Sequence, residues 1–212
     1  MVGAAARLTA VSAIAWVAVA SPLGAAPDDA LRAQGQCREG QLQGGYTLRT
    51  PQGRLRAQGA YNAGQRVGSF IFWNDAGARV AHIPFDADEV NGTVSLWYEA
   101  DGPAEGVRRL EAAYRRGERD GATRAWYSNG QLRLTAEYAG GALRAVRAWS
   151  ESGAELAPEP SRSLAEQERA DDAGYLEMLE ALVRLHRPDC SAAPPAQLRA
   201  KLVPETASER NG

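Results

Sequence analysis

Four of the five tryptophans in this 212-residue chain fall into one register, and that register decides what the chain can fold into. Trp73, Trp97, Trp126 and Trp149 are spaced by 24, 29 and 23 residues. Each is followed four or five residues later by a glycine: Gly77, Gly102, Gly130 and Gly153. Three have a glycine at the fifth position back, Gly68, Gly92 and Gly121. A second aromatic column, Tyr61, Phe85, Tyr114 and Tyr138, runs beside the first. Matching columns at a fixed period are the signature of tandem units that must stack to bury a shared face.

The periodicity inside a unit selects the strand. Stepping back by two from Tyr138 gives Ala136, Leu134 and Leu132, against Glu137, Thr135 and Arg133. Phe85 leads back to Ile83 and Ala81, and Tyr61 to Gly59, Ala57 and Leu55. Period-2 alternation is that of a half-buried strand. Asn74-Asp75-Ala76-Gly77, Glu99-Ala100-Asp101-Gly102 and Ser128-Asn129-Gly130 supply turn chemistry between strands. Each unit is therefore expected to be a β-hairpin, with about four units meandering into one antiparallel sheet. The fold class is mainly β, with one C-terminal amphipathic helix.

These residues resemble MORN repeats, and more narrowly the bacterial MORN-variant family labelled antitoxin-like. The likeness covers residues 44–155, and Gly121-Ala122-Thr123-Arg124-Ala125-Trp126-Tyr127-Ser128-Asn129-Gly130 is its cleanest copy. The first unit has Arg49 near the tryptophan's place, and the last has Ala145 where glycine is expected. What the resemblance implies is a repeated hairpin sheet used for interaction, without an associated chemistry.

The flanks read differently. Residues 1–26 have the form of a signal peptide: Arg7, then an uncharged apolar stretch from Leu8 to Ala20, then small residues. The stretch is short for a bilayer span, which takes about 20 apolar residues. Cleavage with export to the periplasm or the outside, or retention as an N-terminal anchor, are the two readings. Residues 27–43 form a lead-in and 156–162 a linker around Pro158 and Pro160. A helix is expected over 163–187, opened by the capping-box spacing of Ser163 and Glu166 and stopped by Pro188. Its apolar stripe, Tyr175 to Leu185, is expected to cover the sheet, the alternative being an exposed membrane or partner helix. Residues 188–212 form a tail in which Pro194-Pro195 can open a second short helix. In an exporting context Cys37 and Cys190 are a candidate disulfide, the alternative being two free thiols.

Chemistry is sparse. Formal charge is −2, so nucleic acid is not an expected partner. Arginine dominates the basic residues and is read as solvated. Two histidines, His82 and His186, lack partners at metal-ligand spacing, and no catalytic, cofactor or metal motif emerges. Asp86 to Gly92 faintly resembles a calcium loop but aligns with the inter-hairpin turns of neighbouring units. The tryptophan column has two readings: core packing, or an exposed row binding a glycan or peptide. The expectation is a non-enzymatic, exported module that binds an unknown protein partner, with glycan or cell-wall binding through Trp73, Trp97, Trp126 and Trp149 as the alternative. No transmembrane segment is expected once the signal is removed.

Overall fold

The computed structural model describes residues 30–100 and 106–191. The signal stretch, Gly102 and the Pro194-Pro195 segment lie outside them. Eleven strands form one antiparallel sheet: β1 (Arg32–Arg38), β2 (Gln41–Arg49), β3 (Leu55–Asn62), β4 (Gln65–Trp73), β5 (Arg79–Asp86), the two-residue β6 (Glu89–Val90), β7 (Gly92–Trp97), β8 (Arg108–Arg115), β9 (Glu118–Trp126), β10 (Leu132–Ala139) and β11 (Ala142–Ala148). They lie side by side in chain order, with β6 as a stub on β5. One helix, α1 (Pro158–Leu185), follows. The tandem-hairpin architecture is thus present.

Two kinds of turn alternate along the sheet. On one rim, two-residue loops have both central residues at positive φ: Glu39-Gly40, Ala63-Gly64, Ala87-Asp88, Arg116-Gly117 and Gly140-Gly141. Such a turn matches the right-handed twist of the flanking strands. Asp88 takes the place that glycine holds in the neighbouring turns, at φ 70°, so residues 86–92 form a connecting turn of the repeat. On the other rim, a four-residue loop closes when a positive-φ glycine donates its amide three residues back. Gly53 donates to the Thr50 carbonyl, Gly77 to Asn74, Gly130 to Tyr127 and Gly153 to Ser150, at 2.9–3.1 Å.

The turns are also bonded to one another. Gly64 donates its amide to the Leu42 carbonyl, Asp88 to Arg66, Gly117 to Val90 and Gly141 to Arg119, each at about 2.9–3.0 Å. Each turn therefore hangs from the unit before it, which couples neighbours as repeat stability requires.

Two boundaries differ from the sequence reading. The sheet already begins at Arg32, so the lead-in contributes β1 and the start of β2. Its hairpin turn, Glu39-Gly40, has no aromatic column beside it to mark the repeat. The helix starts at Pro158 rather than Ser163, and the supposed linker is its first turn. Proline is tolerated there because the first amides of a helix have no intrahelical acceptor. The same prolines end the sheet. Leu156 donates its amide to the Ala148 carbonyl at 2.8 Å, starting a further strand, and Pro158 stops it.

The core lies on one face. Leu48, Phe70, Phe72, Ile83, Val94, Leu96, Leu110 and Leu134 are each no more than 1% exposed. Tyr46, Tyr61, Phe70 and Phe85 pack edge-on or stacked with ring centres 5.3–6.4 Å apart. Burial pushes the Tyr46 and Tyr61 hydroxyls above the ordinary phenol value. Over this face lies α1, whose 28 residues span about 42 Å. Strands about 4.8 Å apart make that length enough to cross some nine of them. Ala165, Leu176, Leu179 and Val183 are its buried apolar residues, whereas Met178 and Leu185 are exposed.

Candidate functional site

The covered face is closed by charge as well as by apolar packing. Asp172, fully buried on α1, accepts hydrogen bonds from Arg109 Nη2 and Arg119 Nη2, both at 2.7 Å. One helical turn upstream, Glu168 pairs with Arg133, and two turns downstream Glu180 accepts from Arg66 Nη1 at 2.8 Å. At the far end Arg187 donates to the Gly64 carbonyl at 2.9 Å. The anchoring strands run from β10 through β8 and β9 to β4, so α1 is strapped across the sheet from its last strands towards its first. Burial, the larger effect, lifts the Asp172 and Glu168 carboxyls above the ordinary carboxylate range even with guanidiniums beside them. Buried carboxylates are tolerated only when paired in this way. The reading of the arginines as solvated residues fails for Arg66 and Arg119, whose side chains are 17% and 5% exposed.

Cys37 and Cys190 are joined in a disulfide with Cα atoms 5.4 Å apart. The bond ties the segment after α1 to β1, the first edge strand. It completes the strap that the ion pairs begin.

The opposite face is open. Cross-strand partners align one residue per strand from Gln34 on β1 to Arg147 on β11. The middle of that row reads Ile71, His82, Ser95, Glu111, Arg124 and Thr135. It is mostly polar, with one apolar member. His82 Nε2 lies 2.8 Å from Ser69 Oγ, and burial together with Arg79 holds its pKa below the ordinary histidine value. The ring is therefore neutral at physiological pH, a hydrogen-bonding group rather than a cation.

Strand alternation directs the tryptophans to this face, although Trp73 also lines a cleft shared with Tyr175, Met178 and Leu179 of α1. Each follows a buried inward residue, Phe72, Leu96, Ala125 or Ala148, so strand alternation turns it outward. None joins the main apolar cluster. They are not bare either. Arg79 and Arg108 lie over the Trp97 ring, 4.3 and 5.3 Å from its centre, leaving it 6% exposed. Arg147 lies 5.3 Å over Trp149. Trp73, Trp126 and Trp149 are half-buried. Cation–π stacking of this kind is worth about 0.5–2 kcal/mol per contact.

One repeated feature escapes inspection of the sequence. The residue after three of the four tryptophans reaches into the next unit: Asn74 Nδ2 donates to the Ala100 carbonyl at 3.0 Å, Tyr98 Oη to the Trp126 carbonyl and Tyr127 Oη to the Trp149 carbonyl, both at 2.9 Å. These clasps join units 22–28 residues apart in sequence. The tryptophan column was visible in the sequence; the acceptor of the residue that follows was not, because a backbone carbonyl has no sequence signature. His186, the other histidine, bonds its own helix through Nδ1 to the Leu182 carbonyl at 2.8 Å. Among the described residues no three metal-ligating side chains converge, and no helix is long and apolar enough to cross a membrane. No family model matches the chain, and no curated protein matches it in sequence.

Proposed function

We propose that this chain is an exported, non-enzymatic, MORN-like repeat module that offers the open face of its sheet to a protein partner. The observation that carries the reading is the asymmetry of the two faces. One is sealed by a helix held with buried ion pairs, and the other spans ten strands without a covering element among the described residues. A mostly polar surface with a few apolar and aromatic positions has the composition of a reversible protein interface. The apolar N-terminal stretch and the disulfide support export, since such bonds persist in oxidising compartments. Stacking a glycan needs bare indole faces, and the guanidiniums over Trp97 and Trp149 occupy those faces, which favours a protein over a sugar.

The test places a photo-crosslinking residue at Arg124 on the open face, or at Arg169 on the exposed side of α1, in the exported protein. Protein adducts at position 124 that disappear when Ile71→Glu is added, with none at 169, are expected. Equal adducts at both positions, or recovery of polysaccharide alone, would contradict the reading.

A further inference from the structure

The repeat ends in the middle of a unit. In inner units the four-residue turn after the tryptophan leads into a full second strand, as Trp73 leads into β5 and Trp126 into β10. After Trp149 the same turn closes and a second strand begins: Trp149 bridges to Glu155, and Leu156 donates its amide to the Ala148 carbonyl at 2.8 Å. There it stops, because Pro158 turns the chain into α1. Among the described residues no strand lies beyond β11 from Ala142 to Arg147. The Ala148 carbonyl points to that outer edge, and in an antiparallel ladder Val146, two residues back, turns its N–H and C=O the same way. A register shift interrupts the β10–β11 ladder at Tyr138, but β9 has such shifts with both of its neighbours and still pairs with both. The β11 edge can therefore accept a strand.

Beside this edge, between β11 and the start of α1, lies a cleft of about 240 Å³ lined by Leu143, Arg144, Ala145, Val146, Pro158 and Arg162. Leu143 and Val146 pack against the core on one side and are half-buried. Arg144 and Arg162 are exposed, and neither has a hydrogen-bond or ion-pair partner among the described residues. Glu155, the acid at the head of the vacant lane, is already held by Arg147 at 2.8 and 3.1 Å. The edge thus combines free main-chain groups, an apolar slot and two uncompensated positive charges.

We infer that the outer edge of β11 takes an extended acidic peptide of a partner protein as a further strand, supplying the half of the last unit that the chain itself omits. Main-chain bonds to Val146 hold such a strand, and side chains at alternate positions make it selective. One of them, apolar or aromatic, enters the cleft beside Leu143 and Val146. Acidic side chains meet Arg144 and Arg162, whose guanidiniums suit carboxylates in geometry as well as charge. A second copy of this chain is the poorer occupant. Pairing β11 with β11 sets two copies of Arg144 and Arg162 along one seam, and pairing it with the edge strand β1 brings Arg32 and Arg38, the only charges on that strand. Like charges facing one another across strands are destabilising. This inference is independent of the open face, because a strand added at the edge leaves the row from Ile71 to Thr135 uncovered.

The probe is a fluorescent synthetic peptide copying the second strand of the preceding unit, residues 132–139, with Arg133→Glu and Thr135→Glu, so that every polar position is acidic. Controls carry lysine at those positions, or N-methyl groups on alternate amides in one register or the other. Anisotropy with the exported protein should show the acidic peptide binding about tenfold or more tightly than the lysine peptide and than one of the two methylated forms. Hydrogen exchange at the Val146 amide should slow when it binds. The variant Arg144→Glu with Arg162→Glu should reverse the preference between the acidic and the lysine peptide, which a misfolded protein would not do. Equal binding of the acidic peptide to the parent and this variant, or none at roughly millimolar concentration, would overturn the inference. So would a dimer in light scattering that protects Val146 without peptide, because a second copy would then fill the lane.

Discussion

Removing the Asp172 carboxylate should cost more than any other single change on α1. Its two oxygens accept from Arg109 and Arg119, each at 2.7 Å, and the Arg119 side chain is only 5% exposed. In Asp172→Ala the Arg119 guanidinium stays among Tyr114, Tyr138 and the helix with its charge uncompensated. Breaking one side of a buried pair costs about 3–5 kcal/mol. With a urea slope of about 2 kcal/mol/M, the midpoint moves down by roughly 2 M. Arg109, whose side chain is 24% exposed, can turn to water and adds little. Urea titration followed by tryptophan emission measures the shift. The double variant Asp172→Leu with Arg119→Met removes both charges at similar volume and should recover at least half of the loss, since desolvation of the pair no longer opposes its attraction. A midpoint for Asp172→Ala within about 0.3 M of the parent, with unchanged slope, would refute the strapping role assigned to the ion pairs.

Reduction of Cys37–Cys190, which closes a loop with a sequence separation of 153, should lower stability by about 4–5 kcal/mol in the loop-entropy account, seen as a lower midpoint in dithiothreitol. Gly117→Val should cost about 1–2 kcal/mol, because its φ of +80° is strained for an L side chain while no atom lies within 4 Å of the added carbon; a neutral result would show that the turn relaxes. Tyr98→Phe and Tyr127→Phe should each cost about 1 kcal/mol and add when combined, as each removes one clasp between different units. Stability should fall as pH rises above 10, the ordinary phenol value: Tyr46, Tyr61, Tyr98 and Tyr175 are all raised, chiefly by burial, so the unfolded chain loses their protons first. Alkaline titration of the melting temperature checks this, and a profile flat to pH 11 would contradict it.

Strand content, hairpin order and the inward face were legible in the chain itself. Alternation at period two and glycines at turn positions are local properties, fixed within a few residues, and the rows from Leu132 to Tyr138 and from Ala81 to Phe85 carried them without help from distant contacts. The environment of the tryptophans was half legible. Alternation sent them outward, but their cover comes from arginines on adjoining strands, Arg79 and Arg108 around Trp97, and only register places those side chains there. What tertiary structure alone decided is how the second layer attaches. Arg119 meets Asp172 across 53 residues, Arg109 meets it across 63, and Arg66 meets Glu180 across 114. A charge in a sequence carries no mark of its partner, because Coulomb attraction is set by distance in space and by the dielectric around the pair, and both exist only once the helix has crossed the sheet.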